Sequence, residues 1–310
     1  MGLPLKNRKS DKVNIGFCMD LQLPHSTIIE VSGKHAAQYL HNRLSNNIKS
    51  LSVKQGCSAC ALSPTGKIEG LFHILRVTEN TFIALSICGE KEKTLAQLKR
   101  FLIAEQVQFK DLSQTHTLSL IADDKTWPVK ELLSPETFSV IQDKSQAIAK
   151  IAEDLTLVLS ENKSPLTLTA QDNQLDKLRF LRPFPEIGID LDSQIIPQEC
   201  GLSGTISFNK GCYVGQEVVA KIDALGKAPR QLSVIRVNTT PSTPALPIII
   251  KGAESAKQIG KTGLTLNQST PLIFGMLRAG EVAISGEVYI QDKEDRLIGG
   301  EVVWLAPSAL

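Results

Sequence analysis

The sequence predicts an α+β fold followed by a small β-barrel, and three observations carry that expectation. Helical and strand-like patterns intermingle up to about residue 228, without the regular strand–helix alternation of a parallel sheet. From Gln231 onward the texture is all strand, in short apolar runs separated by Gly, Pro and Asn. The chain has 310 residues, more than one ordinary domain, so two or three units are expected.

The elements follow in order. Residues 25–33 alternate and are rich in β-branched side chains, which predicts a strand. Gly33 opens a helix reaching Ser45, with Ala37, Leu40 and Leu44 on one face. Residues 56–62 and 67–77 flank Ser63-Pro64-Thr65-Gly66, a proline–glycine turn, and so predict a β-hairpin continued by a strand over 81–87. Residues 90–103 form the clearest amphipathic helix, with Leu95, Leu98 and Leu102 in one stripe and lysines opposite. Strands are expected over 107–112, 115–122, 137–141 and 155–159, with a helix after Pro128. Thr169 caps a further helix carrying Leu175, Leu178 and Phe180. The barrel strands are placed at 232–237, 246–251, 260–266, 272–278, 281–291 and 297–304, with 226–230 as the linker.

Composition narrows the function. The chain is 42% hydrophobic and 21% charged, as in a globular protein with sizeable cores. A net charge of +2 and 5% aromatic residues give little support to direct nucleic-acid binding. No apolar run approaches the length of a membrane span. Six cysteines are scattered at 18, 57, 60, 88, 200 and 212, with no secretory h-region, so a reducing, cytoplasmic setting is expected. Cys57 and Cys60 have the spacing of a metal or dithiol pair, but no second pair completes a metal site. In a strand, residues three apart face opposite ways, so they are taken as strand cysteines. The five histidines show no metal-ligand spacing, and no metal is expected.

Residues 206–217 hold the chemistry. They start as a short apolar strand, pass Gly211-Cys212 and Gly215, and enter a helix. The glycines permit positive φ and close backbone approach. A thiol near a helix N-terminus, beside Lys210, is favoured as thiolate, and Gln216 stands ready to position it. A small buried hydrophobe is the alternative reading of any such cysteine.

Lys-Gly-Cys-Tyr-Val-Gly-Gln-Glu (residues 210–217) resembles the signature of the YgfZ family, folate-binding proteins implicated in iron–sulfur cluster maintenance and tRNA modification. The flanks resemble it too: Ile196-Pro197-Gln198-Glu199, Gly204-Thr205-Ile206-Ser207-Phe208, Val218-Val219-Ala220-Lys221, Gly226 and Arg230. The resemblance covers most of the chain, weakening over 115–170 and in the C-terminal tail. It implies two ferredoxin-like α+β units, one inserted in the other, and a barrel, arranged as a ring around a central tetrahydrofolate slot. In that plan residues 1–50 and 107–228 form the first unit, 51–106 the inserted one and 229–310 the barrel. It further implies Cys212 as the working thiol and Arg179, Lys210, Tyr213 and Gln216 as folate-binding residues, with iron–sulfur enzymes as partners.

Three departures stand out. Pro183 replaces a usual glycine in the segment after Leu178-Arg179-Phe180, just before Phe184. The related glycine-cleavage T-proteins carry an aspartate where this chain has Gly70, with Glu69 directed to the other face. Tryptophan occurs only at 127 and 304, which leaves Phe180, Phe184 or Tyr213 to stack a pterin. The alternatives are a folate-dependent aminomethyl- or methyltransferase, which the missing acid opposes, and a non-catalytic adaptor.

Overall fold

The computed structural model describes residues 19–23, 25–87, 89–122, 138–143, 146–152, 155–161, 174–181, 194–251, 255–293 and 296–306. The order is β1 (Met19–Gln22), β2 (Thr27–Ser32), α1 (Ala36–Arg43), β3 (Gln55–Leu62), β4 (Ile68–Thr78), β5 (Thr81–Ser86), α2 (Lys91–Lys99) and β6 (Gln108–Asp111). Then come β7 (His116–Ala122), β8 (Phe138–Asp143), β9 (Gln146–Ala152), β10 (Leu155–Glu161), α3 (Gln174–Leu181) and two 3-10 turns, Pro197–Cys200 and Ser203–Thr205. Helix α4 (Gln216–Ala224) precedes β11 (Arg230–Val237), β12 (Pro247–Lys251), β13 (Ala256–Leu266), β14 (Leu272–Arg278), β15 (Glu287–Gln291) and β16 (Leu297–Leu305).

Strands β3, β4, β5, β2 and β6 lie side by side in that order, with α1 and α2 in the connections: a ferredoxin-like unit with one extra strand. Strands β1, β7, β10, β9 and β8 form the second sheet, joined to the first where β8 meets β3 at Gln55 and Gly56. The third body is a closed barrel in the order β11-β14-β13-β12-β15-β16. The α+β class and the C-terminal barrel are therefore as expected.

The strand pairing runs across the boundaries anticipated at 51 and 106. β2 hydrogen-bonds to both β5 and β6, so the inserted unit begins with β2 and closes with β6. β1 pairs with β7 from beyond that insertion. Each sheet gathers the strands that complete its ladder, wherever they fall in sequence.

One face of the first sheet takes α1 and α2, through Tyr39, Leu40, Leu98, Phe72 and Phe82. The other packs on the second sheet through Ile28, Leu75, Leu85, Leu120 and Leu157. The stripe read from residues 90–103 does its work, since Leu95, Leu98 and Leu102 all meet that first core. The helix itself stops at Lys99 rather than 103, because Phe101 takes a left-handed φ of 72°. Residues 281–286 likewise turn before β15 begins at Glu287. Residues 206–208, expected as a strand, are irregular. The proposed Thr169 cap, the helix after Pro128, and the Pro183 and Phe184 positions lie outside the described residues.

A buried arginine locks the first unit. Arg43, at the end of α1, donates to Leu62 O at 2.8 Å, Gln97 O at 2.9 Å and Glu69 Oε2 at 2.6 Å. Glu69 reaches it because the β3–β4 register shifts there: Ala61 faces Gly70, Leu62 faces Ile68, and Glu69 is the extra residue. The bulge brings Glu69 and Gly70 to the same neighbourhood, contrary to their expected opposite faces. A Cβ at Gly70 would lie 3.0 Å from Gln97 Oε1, and Gln97 O takes the Arg43 Nε–H.

Candidate functional site

The loop over residues 206–215 wraps the C-terminal end of α1, whose last carbonyls need donors. Lys210 supplies them. Its ammonium donates to His41 O, to Leu44 O at 2.6 Å and to Asn46 O at 2.8 Å, and it lies 4.8 Å from the centre of the Tyr213 ring. Burial pulls Lys210 down to about 7, while three carbonyl acceptors hold its proton. The same charge, after burial itself, keeps His41 neutral by lowering it to about 4. Lys210 is thus committed to helix α1, which corrects the expectation that it tunes the cysteine.

Ser45, just past α1, ties three segments together. Its hydroxyl donates to Thr205 O at 2.6 Å and accepts from Cys60 N at 2.9 Å, and its carbonyl accepts from Ser207 N at 3.0 Å. Asn46 Nδ2 adds a bond to Ser58 O at 2.9 Å. Val214 N reaches Asn42 O at 3.4 Å. The loop's shape is therefore set by α1 and β3, far upstream in sequence.

The two motif glycines differ. Gly215 is left-handed, φ 83°, and caps α4. A Cβ there would meet Ser63 O at 2.5 Å and Gly66 Cα at 3.1 Å, so it is the seat of the β3–β4 turn. Gly66 (φ 74°) is its counterpart, with Val218 Cβ 2.9 Å from where its own Cβ would be. Gly211 has neither restraint: it is not left-handed and faces open space.

Of the four described cysteines, Cys57, Cys60 and Cys200 are buried and Cys212 is exposed. Burial pushes the Cys57 and Cys60 thiols up to about 12 and Cys200 further up. Cys57 faces the helix-side core while Cys60 faces the cluster beneath the motif, so the two stand on opposite sides of β3. Cys212 sits four residues before α4 begins at Gln216, ahead of the helix's first turn rather than in it. It opens onto a groove of about 740 Å³ whose other wall is Gln38, His41, Asn42 and Lys49. The sequence reading missed that wall, because nothing in one chain links α1 to residues some 170 positions away.

The remaining expected site residues turn elsewhere. Gln216 Oε1 accepts Tyr213 N–H at 3.3 Å, shaping backbone rather than touching the thiol. The Tyr213 ring is 7% exposed and packs with Cys60, Leu62, Ile68, Ile206 and Val219. Arg179 is 5% exposed and pairs with Asp176 at 3.2 Å. Phe180 stacks on Phe274 of the barrel, centroids 4.1 Å apart, so it joins two bodies instead of standing open to a ring ligand.

A buried polar cluster lies where the 3-10 turns, α4 and the barrel meet. Glu199 is 1% exposed and accepts from Arg230 Nε at 2.7 Å, Arg230 Nη2 at 2.9 Å and Ile196 N at 3.1 Å. Gln198 Nε2 donates to Val219 O at 2.9 Å. Its Oε1 and Tyr213 Oη are buried with no hydrogen-bond partner among the described residues. Orphaned buried polar atoms are uncommon and call for a partner. Gln198, Glu199 and Arg230 were legible as motif flanks, though not as one cluster.

Comparison with known proteins fits this architecture. No family model matches the chain. It is 25% identical over 327 residues to a putative chloroplastic transferase of Arabidopsis thaliana, covering 93% of this chain and 72% of that protein. It is 29% identical to the tRNA-modifying protein YgfZ of Hamiltonella defensa, over 66% of this chain and 68% of its relative. Among solved structures, the glycine cleavage system aminomethyltransferase T from Bartonella henselae superposes with a TM-score of 0.72 at 16% identity, covering 93% of this chain and 85% of the other.

Proposed function

We propose that this chain, similar to YgfZ proteins and built on the fold of an aminomethyltransferase, binds tetrahydrofolate and supports iron–sulfur enzymes, tRNA-modifying ones included, through the Cys212 thiol. The observation that carries this reading is the exposure of Cys212 while the three other described cysteines are buried. A thiol must reach its substrate to act, and among the described cysteines only this one does. Its groove is shallow and open, which suits a protein-borne partner better than a free metabolite. The neutral His41 imidazole and the Asn42 amide on the facing wall offer hydrogen bonds to whatever the thiol meets.

Two unpartnered polar atoms of the buried cluster support a folate as the ligand. A pterin edge alternates N–H donors with acceptor nitrogens, and Gln198 Oε1 and Tyr213 Oη are an acceptor and a hydroxyl in need of such partners. Tetrahydrofolate, when bound, supplies a carrier for a one-carbon unit or a source of electrons. The chain's own contribution is to hold the ring edge, exclude water around Val219 and keep Cys212 on the outer side of the same loop.

An aminomethyltransferase reading is weaker on two counts. Gly70 provides no acid, and a Cβ there would lie 2.9 Å from Phe72 and 3.0 Å from Gln97, so an acid enters only if those side chains shift. The test pairs two measurements. Titration calorimetry with tetrahydrofolate reads the ligand, with Gln198→Leu expected to weaken binding. Complementation with Cys212→Ser reads the activity of iron–sulfur-dependent tRNA-modifying enzymes in cells, expected to fall while folate binding persists. Full complementation by the serine variant refutes the working thiol; absence of heat at millimolar folate refutes the ligand.

A further inference from the structure

The two sheets of the α+β body pack closely through Ile28, Leu85, Leu120 and Leu157, but part at one end. The gap is a cavity of about 240 Å³. Leu75, Ile83 and Leu112 line it from the first sheet, and Ala147 and Leu159 from the second. Folded cores leave few voids larger than a water molecule, since unfilled apolar walls forfeit their dispersion contacts. The cavity lies on the face of the first sheet opposite α1, so it is separate from the Cys212 groove.

Its rim is charged. Lys54, Lys110 and Glu30 stand at the wall, and among the described residues none of the three has an ion-pair partner. Arg76 is also there, but its guanidinium is held by Leu51 O at 2.6 Å and Glu79 Oε2 at 3.0 Å. Lys54 holds a left-handed φ of 67°, uncommon for a residue with a side chain, and its amide is fixed by Arg76 O at 2.8 Å. Glu30 faces Lys110 directly across the β2–β6 pair, while Lys54, just ahead of β3, lies four strands from β6, so Lys54 is the unmatched positive charge at the mouth of an apolar space.

We propose that this cavity binds a small monoanionic amphiphile, with its apolar chain or ring between the sheets and its carboxylate at Lys54. The volume limits the apolar body to on the order of ten heavy atoms, a medium-chain or single-ring acid, since pockets for drug-sized ligands run from about 300 Å³ upward. Glu30 repels a second negative charge, so a dianionic phosphate monoester is disfavoured.

The probe is octanoate, with octanol as the neutral isostere, measured by titration calorimetry on the full chain. Octanoate is expected to bind at least tenfold more tightly than octanol, and Lys54→Gln to erase most of that difference. Lys54 is exposed, so this variant should keep its fold. Ala147→Phe, which fills the cavity, should abolish binding of both while the unfolding midpoint holds. Cys212→Ser should bind octanoate as the parent does. Equal affinity for acid and alcohol, unchanged binding by Ala147→Phe, no heat at millimolar octanoate, or competition by saturating tetrahydrofolate would each overturn the assignment.

Discussion

Replacing the two glycines of the Cys212 loop separates local backbone need from mere sequence pattern. In Gly215→Ala the new residue must keep φ 83°, which costs about 1–2 kcal/mol for a residue bearing a Cβ. Its methyl would also lie 2.5 Å from Ser63 O and 3.0 Å from Leu62 Cβ. The first of these is backbone, so the turn or the start of α4 must move, at about 1–3 kcal/mol for an overpacked contact. The sum, about 2–5 kcal/mol, is a large share of the 5–15 kcal/mol typical of a folded domain. Gly211→Ala meets no atom within 4 Å and needs no left-handed backbone, so its cost should stay within about 0.5 kcal/mol. Urea unfolding followed by circular dichroism measures both. Because Gly66 and Gly215 abut, the Gly66→Ala and Gly215→Ala costs should combine non-additively. The reasoning is refuted if Gly215→Ala unfolds within about 0.5 kcal/mol of the parent, or if Gly211→Ala costs as much.

Other outcomes follow from the same geometry. Iodoacetamide should label Cys212 in the native protein and leave Cys57, Cys60 and Cys200 untouched until denaturant is added, read site by site by mass spectrometry. Lys210→Met should destabilise by about 2–4 kcal/mol, because three carbonyls at the end of α1 lose a charged donor, and thermal denaturation will show it. Stability should fall as pH drops from 6.5 towards 4. His73 is buried against Ser58 and titrates at about 4 when folded but near 6.5 when unfolded, so across that window the unfolded chain binds the proton and the native one does not. The full loss, reached below pH 4, is on the order of 3 kcal/mol, with His41 acting in the same direction. A His73→Phe variant should flatten that slope in urea midpoints taken from pH 4 to 7. Gly70→Asp should lower the unfolding midpoint and gain no aminomethyl transfer, since its carboxylate has Phe72 and Gln97 in its path.

The α+β class, the hairpin at Ser63–Gly66, the stripe of Leu95, Leu98 and Leu102, the opposed faces of Cys57 and Cys60 and the six barrel strands could be read from sequence. Each is set by periodicity or turn chemistry within a few residues. The resemblance of residues 210–217 to a known signature was legible there too. What the side chains of that motif do was decided by tertiary contacts. Lys210 looked like a neighbour of Cys212 because it is two positions away, but α1's unmatched carbonyls claim its ammonium. Gly211 and Gly215 look alike in sequence, yet only Gly215 is crowded by the β3–β4 turn. Glu69 and Gly70 were assigned opposite faces until a one-residue bulge brought them together. The unit boundaries moved because β2, which precedes the segment expected to be inserted, pairs with β5 inside it and with β6 beyond it. Propensity and periodicity act over one or two turns of chain, whereas a buried charge or carbonyl is satisfied by whatever the fold brings within 3 Å, and that distance has no counterpart in sequence.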